Sequence, residues 1–150
     1  MSAPAVVTVI HGPNLNLLGT REPDVYGHAT LADVDAKLQA LGQERGFAVA
    51  CHQRNGEGAI IDLIHAAGAG IVINPGGYTH TSVAIADALR AFGRPAVEVH
   101  LSNIYAREAI RHVSVTGAAC QGVIMGLGVN SYVLGLEAVL EMIGSGAERS

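Results

Sequence analysis

Short apolar segments recur along the chain, separated by longer stretches in which apolar residues follow helical spacing. Most of the short segments are rich in Val and Ile and are continuously apolar, as expected for strands covered on both faces. The predicted strands are residues 6–10, 48–52, 70–74, 96–100 and 122–127. This pattern indicates a parallel sheet buried between helices.

Helical spacing fills the intervals between most of these strands. The clearest case has apolar residues at Leu31, Val34, Leu38 and Leu41. Thr30 precedes this segment and Asp33 lies in its first turn. Their residue types and spacing are those of a capping pair. The predicted helices are residues 30–45, 57–67, 81–92 and 131–143, with a short helical turn at 106–111 and a frayed tail at 144–150.

Alternating strands and helices predict the topology. A parallel strand pair needs a long right-handed crossover, so we expect a doubly wound α/β fold of one domain, residues 1–150. The predicted five-stranded parallel sheet has the flavodoxin-like order 2-1-3-4-5, with helices on both faces. Ligands of such sheets bind beyond the carboxyl ends of the strands. The loops at 11–26, 75–80 and 101–103 leave those ends.

Composition narrows the class of protein. A hydrophobic fraction of 49% with 15% charged residues excludes a disordered chain. The net charge of −4 and the scattered basic residues argue against nucleic-acid binding. No apolar run reaches the roughly 18 residues that cross a bilayer, so we expect no membrane association and a cytoplasmic location. Cys51 and Cys120 are interpreted as small buried thiols.

The first of the three loops carries a candidate base. It contains Arg21 and Tyr26 and has no metal-ligand or phosphate-loop pattern. A guanidinium stays charged near neutral pH, and beside a phenol it would lower the phenol's pKa by about 1–3. Arg21 would therefore make Tyr26 a base.

The second loop, Asn74-Pro-Gly-Gly-Tyr-Thr-His80, has the composition of a ligand-binding turn. Its glycines allow a ligand to approach the main chain, and Asn74 and His80 supply neutral hydrogen-bonding groups. The alternative is a tight turn before a helix that is capped by Thr79 or Thr81. The sequence does not separate the two.

The third loop follows a strand that ends in Glu98 and His100. Strand alternation places these two side chains on one side of the sheet, so the carboxylate can orient the imidazole. A histidine is a natural proton donor near neutral pH. The alternatives are a structural hydrogen-bonding histidine, a cap at Ser102 and simple packing at Leu101.

Two arginines and an aspartate have two interpretations each. Arg107 and Arg111 are four residues apart, so on a helix they would face one side and could bind a substrate carboxylate. They could equally form a solvated face or a subunit contact. Asp87, inside the third helix, is either a surface residue or an interface anchor.

Two kinds of chemistry are not expected. Lys37 is the only lysine and lies in the first predicted helix, which argues against a Schiff base. Four further histidines show no His-x-x-x-His spacing and no carboxylate-linked ligand set, so no metal is assigned; they are His28, His52, His65 and His112.

With these residues in view, the chain resembles the type II 3-dehydroquinate dehydratase family. The resemblance covers residues 6–139, and its diagnostic segments are 11–23, 74–82 and 98–108. It implies an anti elimination of water from 3-dehydroquinate, through an enolate and without cofactor, to give 3-dehydroshikimate. The reaction would belong to the shikimate pathway or to quinate catabolism.

The resemblance also implies residue roles. Tyr26 removes a C2 proton, and Arg21 keeps it in the reactive state. A water held near Asn14 stabilises the enolate. His100 protonates the departing hydroxyl, with Glu98 behind it.

By the same resemblance, one group of residues holds the substrate: Asn74, Gly77, His80, Leu101, Ser102, Arg107 and Arg111. Asp87 would reach the site of a neighbouring subunit. The family forms dodecamers built from trimers, so a homo-oligomer is expected.

Two other functions fit a sheet of this kind. A flavin-binding module would enclose FMN between the first two loops, but the first loop lacks a phosphate cradle and the chain has no Trp. A phospho-receiver module would need acidic residues after the first strand, where His11 stands.

Overall fold

A five-stranded parallel sheet forms the centre of the described part of the chain. A computed structural model describes residues 3–20, 24 and 28–149, with side chains to residue 144. Its strands are Val6–His11 (β1), Ala48–Gln53 (β2), Gly70–Asn74 (β3), Ala96–His100 (β4) and Gly122–Met125 (β5). All neighbours are parallel, in the order β2-β1-β3-β4-β5. The predicted strands, order and fold are confirmed.

Within the described residues, the α-helices whose bounds are defined connect or follow the strands. They are Leu31–Glu44 (α1), Glu57–His65 (α2), Val83–Phe92 (α3) and Asn130–Arg149 (α4). The predicted capping pair of α1 is confirmed: Asp33 N donates to Thr30 Oγ1 at 3.2 Å, and Thr30 N donates to Asp33 Oδ2 at 3.0 Å. α4 continues beyond its predicted end at residue 143, while fraying at 144–150 stays a prediction. Among the described helices, none is long and apolar enough to span a membrane.

The start of α3 differs from the prediction. Residues Gly76–His80 form a 3-10 helix, which moves the first turn of α3 two residues along the chain. The cap is Ser82, whose Oγ accepts a hydrogen bond from Ile85 N at 3.0 Å. A cap at Thr79 or Thr81 was therefore wrong. The hydroxyl of Thr79 instead donates to Glu98.

The predicted turn at residues 106–111 also differs. Two separate 3-10 helices, Ile104–Ala106 and Ala109–Arg111, replace one continuous helical turn. Arg107 ends the first and Arg111 lies in the second, so the spacing of four does not place them on one helix face.

The two faces of the sheet carry separate hydrophobic cores. Val7 and Val9 of β1 pack with α1 and α4, whereas Ile10 packs with α2 and α3. Each fully buried Val or Ile contributes about 1.5–3 kcal/mol. Alternation continues to the strand ends, so His11 belongs to the α1–α4 face and Glu98, two residues after Ala96, to the α2–α3 face. The backbone of the polar residues at the strand ends is therefore held in place by the buried sheet.

Candidate active site

A cleft of about 160 Å³ opens at the carboxyl ends of β3 and β4 and beside the loop after β1. This is where ligands of parallel sheets bind. The three loops expected from the sequence all contribute to its wall. The predicted site residues that line it are Asn14, Asn74, Gly77, His80, His100, Leu101, Ser102, Arg107 and Arg111.

Among the predicted site residues that the structure describes, Glu98 and Asp87 do not line this cleft. Glu98 is fully buried directly behind His100. Asp87 is on the outer side of α3, with 70% of its side chain exposed and Arg90 Nη1 at 3.4 Å from its Oδ1. Arg21 and Tyr26 lie outside the described residues, so their roles stay predictions.

Glu98 and His100 form the pair that strand alternation predicts. His100 Nε2 lies 2.7 Å from Glu98 Oε2, and only 6% of His100 is exposed. Because the carboxylate engages Nε2, Nδ1 is the ring nitrogen left for a ligand in the cleft. The pair has the geometry of an imidazole that a carboxylate holds in one orientation and tautomer.

Three hydroxyl groups surround the carboxylate of Glu98. Thr79 and Ser114 donate to Oε2 at 2.6 and 2.9 Å, and Thr116 donates to Oε1 at 2.5 Å. Burial alone would raise the pKa of Glu98, but the hydrogen bond and charge of His100, with the hydroxyls of Thr116 and Thr79, lower it below its ordinary value. Glu98 is therefore an anion at neutral pH, although it is buried.

The sequence missed these three hydroxyl residues. Thr79 precedes Glu98 by 19 positions, and Ser114 and Thr116 follow it by 16 and 18. No local pattern connects them to a strand end. Only the return of the chain towards β5 brings the last two residues beneath the cleft.

Asn14 is held in an unusual conformation at the cleft wall. It has φ of 70°, the left-handed region, where Asn is tolerated better than most residues. Its backbone N donates to Asn55 Oδ1 at 3.1 Å. Gly12, two residues before Asn14, leaves room for the second loop, because a Cβ at this position would lie 2.6 Å from the carbonyl of Pro75. The first two loops can thus pack together only with glycine at this position.

Asn74 at the end of β3 has both ends of its amide engaged. Nδ2 donates to Tyr132 Oη at 3.1 Å, and Oδ1 accepts from Gly76 N at 3.1 Å. Gly76 has φ of 58°, which favours glycine. The second N–H of Nδ2 remains for a ligand oxygen.

A basic side of the cleft completes the site. Arg107 Nη1 donates to Ser102 Oγ at 3.4 Å, and Arg111 forms an ion pair with Glu108. The hydrogen bond from Arg111 is the main reason that the pKa of Glu108 is lowered. His80 Nδ1 donates to the Val113 carbonyl at 2.8 Å, so its Nε2 is free to accept when the ring is neutral. This side suits an anionic ligand.

Within the described residues, one group of side chains has the donor types of a metal site. The ligand atoms of His11, Asp35 and Cys51 lie within 4.8 Å of one another, outside the cleft. These residues belong to β1, α1 and β2, so their spacing in the sequence did not predict the group. Both nitrogens of His11 are already hydrogen-bonded, to Asp35 and to Tyr132.

Comparison with known proteins identifies the family. A model of the dehydroquinase class II family matches residues 5–140. The chain belongs to the class II dehydroquinase family. A 3-dehydroquinate dehydratase from Rhodopseudomonas palustris is 54% identical over 145 residues, covering 94% of this chain and 96% of that relative. One from Ruegeria pomeroyi is 55% identical over 136 residues, covering 89% and 91%.

The three-dimensional structure gives the same result. The crystal structure of type II dehydroquinase from Butyrivibrio crossotus has a TM-score of 0.89 and 41% identity, covering 92% of this chain and 99% of that chain. The resemblance read from the sequence is thus confirmed, as is the expectation of an enzyme of the hydro-lyase class. Membership of the class II dehydroquinases favours neither the flavin-binding nor the phospho-receiver alternative.

Proposed function

We propose that this class II dehydroquinase dehydrates 3-dehydroquinate to 3-dehydroshikimate by an anti elimination through an enolate, without cofactor. The reaction would serve the shikimate pathway or quinate catabolism. The observation that carries the proposal is the cleft that His100, oriented by a buried Glu98 anion, lines together with polar residues of the first two loops.

Proton removal is assigned to Tyr26. The C2 proton of the substrate is made acidic by the neighbouring ketone, and a phenolate is strong enough to take it when a fixed cation stabilises it. Arg21 is that cation. Both belong to the chain segment that follows the 3-10 helix Leu15–Leu17, which carries cleft residues.

The enolate that forms is stabilised through a water bound near Asn14. Developing oxyanion charge gains most from donors that are already in place. The left-handed backbone of Asn14, fixed by its hydrogen bond to Asn55, supports a side chain that is set in position before the substrate binds.

Loss of the hydroxyl is assigned to His100 as general acid. It gives its proton to the departing oxygen, so that hydroxide leaves as water. The Glu98 carboxylate, 2.7 Å from Nε2, stabilises the charged ring before transfer and fixes its orientation. The hydroxyls of Thr79, Ser114 and Thr116 keep that carboxylate anionic and in place.

Substrate binding is assigned to the remaining wall of the cleft. The backbone amides of Leu101 and Ser102 receive the substrate carboxylate, with Arg107 and Arg111 on the basic side. Further polar contacts to the substrate come from Asn74, Gly77 and His80. Lys37 is exposed on α1, away from this wall, so the mechanism uses no Schiff base.

The assembly is proposed to be a dodecamer of four trimers. Asp87 does not line the cleft of its own chain, which agrees with a role in the site of a neighbouring subunit. Light scattering of the purified protein tests this: a mass of about 12 chains supports it, and a monomer that turns over substrate refutes it. A cytoplasmic location stays a prediction.

The central experiment follows the ultraviolet absorbance of the conjugated product. Protein with 3-dehydroquinate and a chelator, without nucleotide, should form it, and Tyr26→Phe should abolish the signal. Tyr105→Phe, which changes an exposed tyrosine, is the matched control. Full turnover by Tyr26→Phe, or inactivation by borohydride in the presence of substrate, would refute the mechanism.

A further inference from the structure

A line of polar side chains runs away from the cleft behind Asn74. Asn74 Nδ2 lies 3.1 Å from Tyr132 Oη, which lies 2.9 Å from His11 Nδ1. The other nitrogen of His11 lies 2.7 Å from Asp35 Oδ1. His11 and Tyr132 are fully buried, and Asn74 is 4% exposed. Three elements, β1, α1 and α4, therefore meet behind one residue of the cleft.

The direction of each hydrogen bond in this line follows from its chemistry. A carboxylate only accepts, so His11 Nε2 carries the proton that faces Asp35. In the neutral ring, Nδ1 is then an acceptor and takes the hydroxyl proton of Tyr132. The oxygen of Tyr132 has no second proton to give, so it must accept from Asn74. The amide nitrogen, rather than the amide oxygen, is thereby placed against Tyr132.

We propose that Asp35, His11 and Tyr132 are positioning residues that fix the side-chain amide of Asn74 with its free N–H directed into the cleft. This inference rests on the proposed function, in which Asn74 contacts the substrate. The opposite amide orientation would place the oxygen of Asn74 against a Tyr132 oxygen that has no proton for it. It would also lose the hydrogen bond from Gly76 N.

Burial supports this assignment of protons. Burial raises the pKa of Tyr132 far above its ordinary value, so the hydroxyl keeps the proton that it donates to His11. Within the described residues, no buried side-chain nitrogen or oxygen lacks a hydrogen-bond partner. Removing one member of the line would leave the buried polar atoms of His11 or Tyr132 without a hydrogen-bond partner.

Metal binding is the competing interpretation of the same end of the line. Asp35, His11 and Cys51 have suitable donor atoms, but a cation would have to displace the proton on His11 Nε2. Burial, followed by the charge of Asp35, raises the pKa of the Cys51 thiol and opposes formation of the thiolate ligand. The hydrogen-bonded arrangement is therefore favoured.

Nitrogen-15 NMR of the histidine rings tests the proton order without any substrate. The His11 signals are assigned by their loss in His11→Gln. We expect a protonated Nε2 and a bare Nδ1. A proton on Nδ1 would overturn the proposal, as would a thiolate charge-transfer band on addition of Co²⁺ that Cys51→Ala removes.

Steady-state kinetics test the effect on Asn74. Tyr132→Phe should raise KM roughly three- to tenfold and leave kcat within about twofold. The reason is that the contact of Asn74 with the substrate is weakened equally in the ground state and in the transition state. Tyr105→Phe is the matched control. In an Asn74→Ala background, Tyr132→Phe should have no further effect on KM, since contacting groups that act together are not additive. Additive effects would mean that Tyr132 does not act through Asn74.

Asp35 keeps the proposal testable if Tyr132→Phe fails to fold. Asp35→Ala should raise KM by a similar factor, and Asp35→Asn should restore most of it, because the amide oxygen can still accept from His11. An unchanged KM in Asp35→Ala refutes the positioning role. Absence of turnover in the unmodified protein would instead refute the proposed function, and the NMR result would still decide the proton order.

Discussion

Two histidine–carboxylate pairs lie near the carboxyl ends of the sheet, on opposite faces. In each, Nε2 of the histidine is 2.7 Å from a carboxylate oxygen. His100 and Glu98 are neighbours on β4, and His100 lines the cleft. His11 on β1 pairs with Asp35 from α1, and its other nitrogen is closed off by Tyr132. The pairs share a geometry but differ in what the second nitrogen faces.

This difference separates the chemical role proposed for His100 from the positioning role proposed for His11. The second nitrogen of His100 faces a space that can hold substrate, so its proton can be transferred. The second nitrogen of His11 faces the buried hydroxyl of Tyr132, so the role open to the ring is to hold that hydroxyl, and through it the amide of Asn74, in one orientation. The carboxylates differ as well: Glu98 is fully buried with three hydroxyl donors, whereas 27% of the Asp35 side chain is exposed.

The largest expected effect comes from substituting the histidine of each pair. His100→Gln should lower kcat by about 10²–10⁴, the usual contribution of a general acid. His11→Gln should raise KM and lower kcat by less than about fivefold, because only the support of Asn74 changes. Steady-state assays of both variants, with circular dichroism to check folding, measure the difference. Equal losses of kcat would mean that the two pairs are not functionally distinct.

Local patterns predicted one of these pairs and not the other. Glu98 and His100 are two residues apart on one strand, so alternation was enough to place them together. His11 meets Asp35 and Tyr132 across 24 and 121 positions, and no periodicity carries that information. The strands and helices were predictable for the same reason as the first pair: each depends on spacing within one segment.

The ends of the elements were predicted less well, because they depend on tertiary contacts. Thr79 is a good capping residue by type, yet its hydroxyl is used by Glu98, and Ser82 caps α3 instead. The turn around residues 104–111 follows the wall of the cleft rather than one helix. A cap or a turn is determined by which partners are within reach, and those lie elsewhere in the chain.

The next largest effect removes the buried charge of Glu98, which is paired with His100. Glu98→Gln should lower kcat by about 10- to 1000-fold, because an amide neither orients nor stabilises a charged ring as a carboxylate does. It should also lower the free energy of unfolding by about 1–3 kcal/mol, since buried donors lose their acceptor. Urea unfolding and steady-state kinetics measure these two losses.

Acidification provides the control for Glu98. The folded state lowers the pKa of Glu98 below its ordinary 4.5, so its stabilising contribution is present above that pH and is lost as pH falls through the folded-state pKa. The difference in unfolding free energy between the unmodified protein and Glu98→Gln should therefore shrink below about pH 4.5. A constant difference would contradict a charged Glu98.

A smaller effect concerns the hydroxyls that distinguish Glu98 from Asp35. Thr116→Val removes one donor with little change in shape and should cost about 1–2 kcal/mol in unfolding free energy and some kcat. Thr8→Val is the matched control: Thr8 is also buried and accepts from Gly68 N, away from the pair, so it should lose stability but not kcat. Equal kcat in both variants would mean that Thr116 has no role in the pair.

The smallest expected effect is on the alkylation rates of Cys120 and Cys51, whose thiols are influenced by Glu98 and Asp35 respectively. Burial, followed by the charge of Glu98, raises the pKa of Cys120 to about 12, and burial with Asp35 raises that of Cys51. Both should react slowly with iodoacetamide at pH 8. Removing the nearby charge lowers the thiol pKa, so Glu98→Gln should speed alkylation of Cys120 alone, and Asp35→Asn that of Cys51 alone, by about two- to fivefold. Mass spectrometry of each cysteine separates this from general loosening of the fold, which would accelerate both thiols in both variants.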